Sequence, residues 1–206
     1  MQNLKTDRLL RGGILLLTVA LVYFIYSGIH EHIVVAGESA PEFTIHADNG
    51  RTVSLPNFGG KILVLNFWAT WCPPCVQETP SLSLFAAKYA DKGVVVLGVS
   101  VDRDESVYRA FLQKFNPLFL TARESKLHED YGTFMYPETY VIDSKGKVLQ
   151  KLAEPADWMD PKVTQFIESL LGGIKWVLGL EEGDATPNPE VSKAQEAKAK
   201  ADAESE

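Results

Sequence analysis

The chain is 206 residues long, 46% hydrophobic and 23% charged, with a net charge of −7. That content supports a real apolar core, and the acidic balance argues against a nucleic-acid partner. There are only two cysteines and four scattered histidines (His30, His32, His46 and His128), too few ligands for a zinc site, so no metal or cofactor is expected.

Residues 12–29 carry no charge, and Lys5, Arg8 and Arg11 precede them against the single acid Asp7. A bilayer core takes about 17–25 helical residues, and a basic flank stays inside. The expectation is a transmembrane signal anchor over residues 12–30. Residues 1–11 would then lie in the cytoplasm, and all that follows on the extracytoplasmic (periplasmic) side of the cytoplasmic membrane. A cleaved signal peptide competes with this reading. Such peptides have apolar regions of about 7–15 residues and a small-x-small cleavage site, and Val34-Val35-Ala36 is a poor one. At the other end, residues 185–206 have Val191 as their one large apolar side chain and are expected to form a disordered tail. One domain remains, over residues 37–182.

Within it, Ser39–Ile45 begins a short alternating strand, and Thr52–Leu55 returns from the turn Asp48-Asn49-Gly50 as the second arm of a hairpin. Residues 61–68 are apolar at nearly every position, which predicts a central strand covered on both faces. A helix is predicted from Pro73 to about Asp91, with Pro80 expected to kink it, then a buried strand over Val94–Val101. Asp104 is placed to cap a helix through Phe115 whose apolar face includes Val107, Phe111 and Phe115. Leu118–Leu120 reads as a short extended piece and Lys126–Tyr131 as a short helix. Glu138–Ile142 and Val148–Leu152 flank the turn Asp143–Gly146 as an antiparallel pair. A last helix is expected from Pro161 to Leu171, stopped by Gly172-Gly173, with no clear role for Trp176–Leu180. This order gives an α/β architecture with a mixed sheet flanked by helices, and it is the element order of the thioredoxin fold.

Both cysteines lie in Trp71-Cys72-Pro73-Pro74-Cys75, directly behind the buried strand. At the start of a helix, Cys72 meets unpaired N–H groups and the positive end of the helix dipole, which favour its thiolate. Pro73 suits the first helical turn, where a missing N–H costs nothing. Cys75 falls one turn further in and should be less exposed. The pattern predicts that Cys72 attacks and Cys75 resolves, cycling a Cys72–Cys75 disulfide. A merely structural disulfide across so small a loop would contribute little. Glu78 is three residues past Cys75 on the same helix face and is a candidate general acid or base, with Glu138 second. His128 has no evident partner and reads as a surface residue.

The string Asn66-Phe67-Trp68-Ala69-Thr70-Trp71-Cys72-Pro73-Pro74-Cys75, followed by Glu78 and Pro80, resembles the TlpA/ResA/CcmG family of membrane-tethered thioredoxin-like proteins. The resemblance covers roughly residues 38–170, including Ala40-Pro41-Glu42-Phe43 and Gly59-Gly60-Lys61, and makes the 39–55 hairpin an N-terminal addition. It implies a cis proline at Pro137, within Tyr136-Pro137-Glu138-Thr139, and a substrate groove formed with Trp71, Pro73, Pro74, Tyr136 and Glu138. It implies a carboxylate at Glu78 that tunes the buried cysteine. Asn66 stands where cytosolic thioredoxins have an aspartate. The activity implied is thiol:disulfide oxidoreduction, as a reductant of substrate proteins such as apocytochrome c. In an oxidising compartment a reductant must be recharged, which implies a membrane thiol transporter of the CcdA or DsbD type. The alternatives are a dithiol oxidase, a thiol peroxidase of the peroxiredoxin kind, and a non-catalytic interaction module with a permanently closed disulfide.

Overall fold

Why the chain around the cysteines takes one path follows from how apolar residues alternate along strand β3 (Ile62–Trp68), every residue of which is buried. Leu63, Leu65 and Phe67 join one core with Phe43, Ile45, Val53, Phe58, Tyr131 and Tyr140. The alternate residues serve the other face, where Trp68 packs on Tyr108 and Phe111 and Asn66 reaches Glu78. In this computed structural model the described residues are 2–29, 32–59 and 61–177, with side chains over 11–24 in the first helix and as far as 173 in the last. The chain divides into two compact units, Met1–Trp158 and Met159–Glu206.

In the first unit, β3 pairs in parallel with β4 (Val94–Ser100) and antiparallel with β6 (Glu138–Ile142). The order across the five-stranded sheet is β5-β4-β3-β6-β7, with β5 at Leu120–Arg123 and β7 at Val148–Leu152. Mixed pairing with this connectivity is a thioredoxin-like α/β fold. The hairpin of β1 (Thr44–His46) and β2 (Thr52–Ser54) forms a separate sheet. It is tied to β5 through the Ala47–Ala122 bridge and the Asp48 N–H to Thr121 carbonyl bond of 2.9 Å. Gly98 is required for packing, since a Cβ there would meet Phe119 at 2.6 Å and the Trp68 indole nitrogen at 3.1 Å.

Helix α2 runs Pro73–Tyr89 and continues as a 3-10 turn over Ala90–Lys92. Pro80 stands inside it, where no N–H is available for the Val76 carbonyl. Helix α3 (Glu105–Phe115) is capped by Asp104, whose carboxylate accepts from the Ser106 and Val107 N–H groups and is held below its ordinary range chiefly by Ser106. Its buried face is Tyr108 and Phe111, while the expected Val107 is 48% exposed. The reason is the Tyr108 hydroxyl, which donates to Asp48 and turns the helix onto the hairpin. The extended piece expected at Leu118–Leu120 begins only at Leu120, because Leu120 is the first residue in register with β4, opposite Leu97. Leu127–Asp130 forms the short helix α4.

The first helix, α1, spans Gln2–Ile29 with Ile14–Leu17 and Leu21–Phe24 exposed. Among the described residues no helix is long and apolar enough to cross a membrane. The expected span 12–30 extends beyond them at His30. In the second unit, α5 is Pro161–Val177, with Asp160 accepting the Lys162 and Thr164 N–H groups at 2.7 and 3.0 Å. Thr164, Ile167 and Leu171 are its buried residues up to the glycine pair. The helix does not stop at Gly172-Gly173. Neither glycine has the positive φ that ends a helix, and each costs only about 1 kcal/mol in its interior. Residues 178–182 of the expected domain and the tail 185–206 lie outside the described residues.

Candidate active site

Cys72 is the N-cap of α2, and its Sγ accepts the Cys75 N–H at 3.3 Å. Strand β3 delivers the chain to this end of the sheet, Pro73 opens the helix, and Cys75 comes round on the inner face three residues later. The two form a disulfide with Cα atoms 5.3 Å apart. Cys72 is 4% and Cys75 1% exposed, so the outer sulfur is the one a partner can approach. Once reduced, the Cys72 thiolate would keep the Cys75 N–H as a charge-assisted donor and the helix dipole behind it.

Facing the pair is the Tyr136–Pro137 peptide, which is cis. The Tyr136 carbonyl oxygen lies 3.4 Å from Cys72 Sγ. A disulfide sulfur has no proton to give, so this becomes a hydrogen bond only when Cys72 is a thiol. The Tyr136 ring packs edge-on against Trp71 at 5.8 Å and against His128 at 5.8 Å. Trp71 is 64% exposed, Pro73 exposed, Pro74 and Tyr136 half-buried, and Pro137 buried. Burial, with Glu138 and Glu129 nearby, pushes the Tyr136 phenol up. His128 is not the isolated surface residue the sequence implies. Its Nδ1 lies 2.7 Å from the Thr133 carbonyl, which spans the loop leading to Tyr136.

Glu78 lies on the inner face of α2, 5% exposed. Its Oε1 accepts from Asn66 Nδ2 at 2.9 Å and its Oε2 from the Ala156 N–H at 3.1 Å. Burial raises its pKa above the ordinary 4.5, only partly opposed by the bonds from Ala156 and Asn66. The Trp158 indole nitrogen also favours the carboxylate, although it makes no hydrogen bond of good geometry and is otherwise unpartnered. Asn66 Nδ2 donates to Thr139 Oγ1 as well, at 2.9 Å, across the β3–β6 ladder. Turned over, the same amide would accept hydrogen bonds from the O–H of neutral Glu78 and from the Thr139 hydroxyl. An asparagine can therefore serve both protonation states, which a fixed charge could not.

Glu138, expected to line the substrate groove, is instead buried. It is 6% exposed and committed to Lys151 Nζ at 3.0 Å, to the Tyr140 hydroxyl at 2.9 Å and to the Thr133 hydroxyl. With its oxygens so occupied it serves as a brace for the cis-proline segment, which leaves Glu78 as the acid–base candidate. Thr133, Lys151, Ala156 and Trp158 are absent from the sequence reading, because their roles depend on loops and strand pairing distant in the chain. Lys151 alone had a signal, as a basic residue inside a predicted strand. Among the described residues no cluster of histidine, cysteine and carboxylate is placed to hold a metal.

The Redoxin family model matches residues 35–167. The chain belongs to the Redoxin family. Within it the relatives are thiol–disulfide oxidoreductases of a ResA/CcmG-like kind. ResA of Bacillus thuringiensis subsp. konkukian is 32% identical over 155 residues, covering 72% of this chain and 90% of that protein. The thioredoxin-like protein YneN of Bacillus subtilis is 38% identical over 115 residues, covering 54% of this chain and 68% of that protein. The crystal structure of a putative thiol:disulfide interchange protein DsbE from Chlorobium tepidum superposes with a TM-score of 0.62 at 30% identity. It covers 68% of this chain and 99% of its own. This Redoxin-family chain, with its Cys72–Cys75 pair at the head of α2, is a thiol–disulfide oxidoreductase.

Proposed function

We propose that the protein is a membrane-tethered reductant of selected protein disulfides on the extracytoplasmic side, acting on substrates such as apocytochrome c. The observation that carries this reading is Cys72 at the α2 N-cap, with its sulfur on the Cys75 N–H and against the cis-proline loop. In the forward cycle the Cys72 thiolate attacks one sulfur of a substrate disulfide. An S–S bond to the substrate forms and the other substrate sulfur leaves as a thiolate. Cys75, its proton taken by Glu78, then attacks Cys72 Sγ, releasing the second substrate thiolate and closing Cys72–Cys75. Two electrons pass to the substrate and the protein ends oxidised. A dithiol donor, such as a membrane transporter of the CcdA or DsbD type, returns them by the same exchange in reverse.

Support for the tether comes from the uncharged run 12–29, its basic flank and the exposed apolar side chains of α1. Support for a selective substrate comes from the low exposure of Cys72, which limits attack to disulfides that fit against the Trp71–Tyr136 pair. The test is the reduction potential of the protein, titrated against glutathione or dithiothreitol and read by tryptophan fluorescence. A value near or below about −220 mV supports a reductant that needs an electron donor. A value near about −120 mV makes it a dithiol oxidase, and the cytochrome-maturation role falls.

A further inference from the structure

Strands β3 and β4 run parallel with Trp68 opposite Ser100, so both chains leave the sheet side by side at the end where the cysteines lie. The ladder persists one step, the Val101 N–H donating to the Trp68 carbonyl at 2.9 Å. The next residue on that chain is Asp102, 3% exposed. Its Oδ2 accepts the Thr70 backbone N–H at 2.9 Å and its Oδ1 the Thr70 hydroxyl at 2.8 Å, so one residue is held at two points. Ser100 braces the carboxylate in turn. Its hydroxyl donates to Oδ2 at 2.6 Å and accepts the Asp102 N–H at 3.1 Å.

Among the described residues no cation pairs with this carboxylate. Arg123, from β5, turns its Nη1 to the carbonyl oxygens of Asp102 and Arg103 and its Nη2 to Glu105 of α3. The other charged neighbours, Arg103 and Asp104, follow on the same segment. A buried carboxylate without a counter-ion is a costly way to stabilise a loop, and an apolar residue would avoid the cost. What the carboxylate supplies is two acceptor oxygens for Thr70, two residues before Cys72. Thr70, Trp71 and Asp102 also form one wall of an open cleft of about 580 Å³ that Arg103 and Val107 complete.

We propose that Asp102 is a positioning residue for thiol–disulfide exchange. By gripping Thr70 it fixes the turn that sets Cys72 Sγ on the Cys75 N–H and holds Trp71 against Tyr136. It touches no sulfur and acts only through Thr70, and the proposal rests on Cys72 being the attacking thiol. A merely structural brace would move stability and leave the reactivity of a folded protein unchanged, which separates the two roles.

The experiment uses the full chain, reduced, with Thr70→Val, Thr70→Ser, Asp102→Asn and Cys72→Ser. It reads the rate of exchange with the small disulfide 5,5′-dithiobis(2-nitrobenzoate) and the pH profile of Cys72 alkylation by iodoacetamide. Asp102→Asn and Thr70→Val are expected to slow exchange about three- to tenfold, the net worth of one neutral hydrogen bond, and to displace the alkylation profile. Thr70→Ser, which keeps the hydroxyl, is expected to recover both. Folded Asp102→Asn and Thr70→Val proteins with the unmodified rate and profile would overturn the proposal, as would Thr70→Ser being as slow as Thr70→Val. If Asp102→Asn does not fold, the two Thr70 variants decide. Exchange surviving in Cys72→Ser would remove the attacking thiol itself, and the proposal with it.

Discussion

Glu138 and Lys151 form a buried ion pair beside the cis proline, and replacing Lys151 with methionine isolates its contribution. The side chains are 7% and 17% exposed, and Nζ lies 3.0 Å from Oε1. The Lys151 ammonium also lies over the Tyr140 ring at 5.2 Å, so methionine removes that cation–π contact together with the ion pair while keeping most of the side-chain volume. Removing one partner of a buried pair strands the other, at a cost of about 3–5 kcal/mol. The hydroxyls of Tyr140 and Thr133 still donate to Glu138, which places the expected loss at the lower end, about 3 kcal/mol. With a urea slope of about 2 kcal/mol per M, the unfolding midpoint should fall by about 1.5 M. The double variant Glu138→Gln with Lys151→Met removes the stranded charge and should recover most of that loss. Urea unfolding of the full chain, followed by tryptophan fluorescence, reads both. A loss below about 1 kcal/mol for Lys151→Met would refute the reasoning, since that is the yield of an exposed pair.

Two further variants have expected outcomes. Glu78→Gln should remove one limb of the pH–rate profile for resolution by Cys75, and an unchanged profile would exclude Glu78 from the mechanism. The same variant has a signature in stability. Because burial raises the folded pKa of Glu78, its contribution is fully present in acid, below the ordinary 4.5, and is lost as pH rises through the raised value. Glu78→Gln should therefore gain on the unmodified protein between acid and neutral pH, and equal pH dependence of the two unfolding midpoints would contradict this. Asp48→Ala severs bonds to the Tyr108 and Thr121 hydroxyls and to Arg109 that join the hairpin to α3 and β5, and should cost about 2–3 kcal/mol. Cys72 alkylation should keep its rate; a slowed rate would make the hairpin part of the site.

What the sequence disclosed was what periodicity and local rules carry. Strands β6 and β7 fall on the expected residues because they flank the turn Asp143–Gly146, and β3 because it is apolar at every position but Asn66. The cysteine pair was legible because strand, turn, Pro73 and helix are adjacent in the chain. Where the reading failed, a contact or a backbone conformation that hydrophobic periodicity does not report had decided the outcome. Val107 yielded to Tyr108 because Asp48, sixty residues earlier in the chain, takes the tyrosine hydroxyl. Helix α5 passed through two glycines because neither turned left-handed. His128 gained a role from the Thr133 carbonyl and the Tyr136 ring, which the loop after α4 brings back to it.

The sequence singled out Glu78 and Glu138 but missed Asp102, and the largest gap concerns what the buried polar groups hold. Asn66, Glu78, Asp102 and Glu138 are 2%, 5%, 3% and 6% exposed, and an apolar residue at any of them would spare the core a desolvation cost. Each instead ties down a different segment around the disulfide, Asp102 and Glu78 through backbone N–H groups, Asn66 and Glu138 through threonine hydroxyls. Asp102 holds the turn into Cys72, Glu78 the loop at Ala156, Asn66 the β6 residue Thr139, and Glu138 the loop at Thr133. The apolar packing of the sheet would tolerate small shifts of any of these segments, because dispersion contacts have little direction. Hydrogen bonds are directional, and a sulfur that must be attacked in line by a neighbouring thiolate needs direction. The stability forgone at these four positions is thus concentrated at the one end of the sheet where geometry governs rate, which also accounts for its absence from a reading based on hydrophobic pattern.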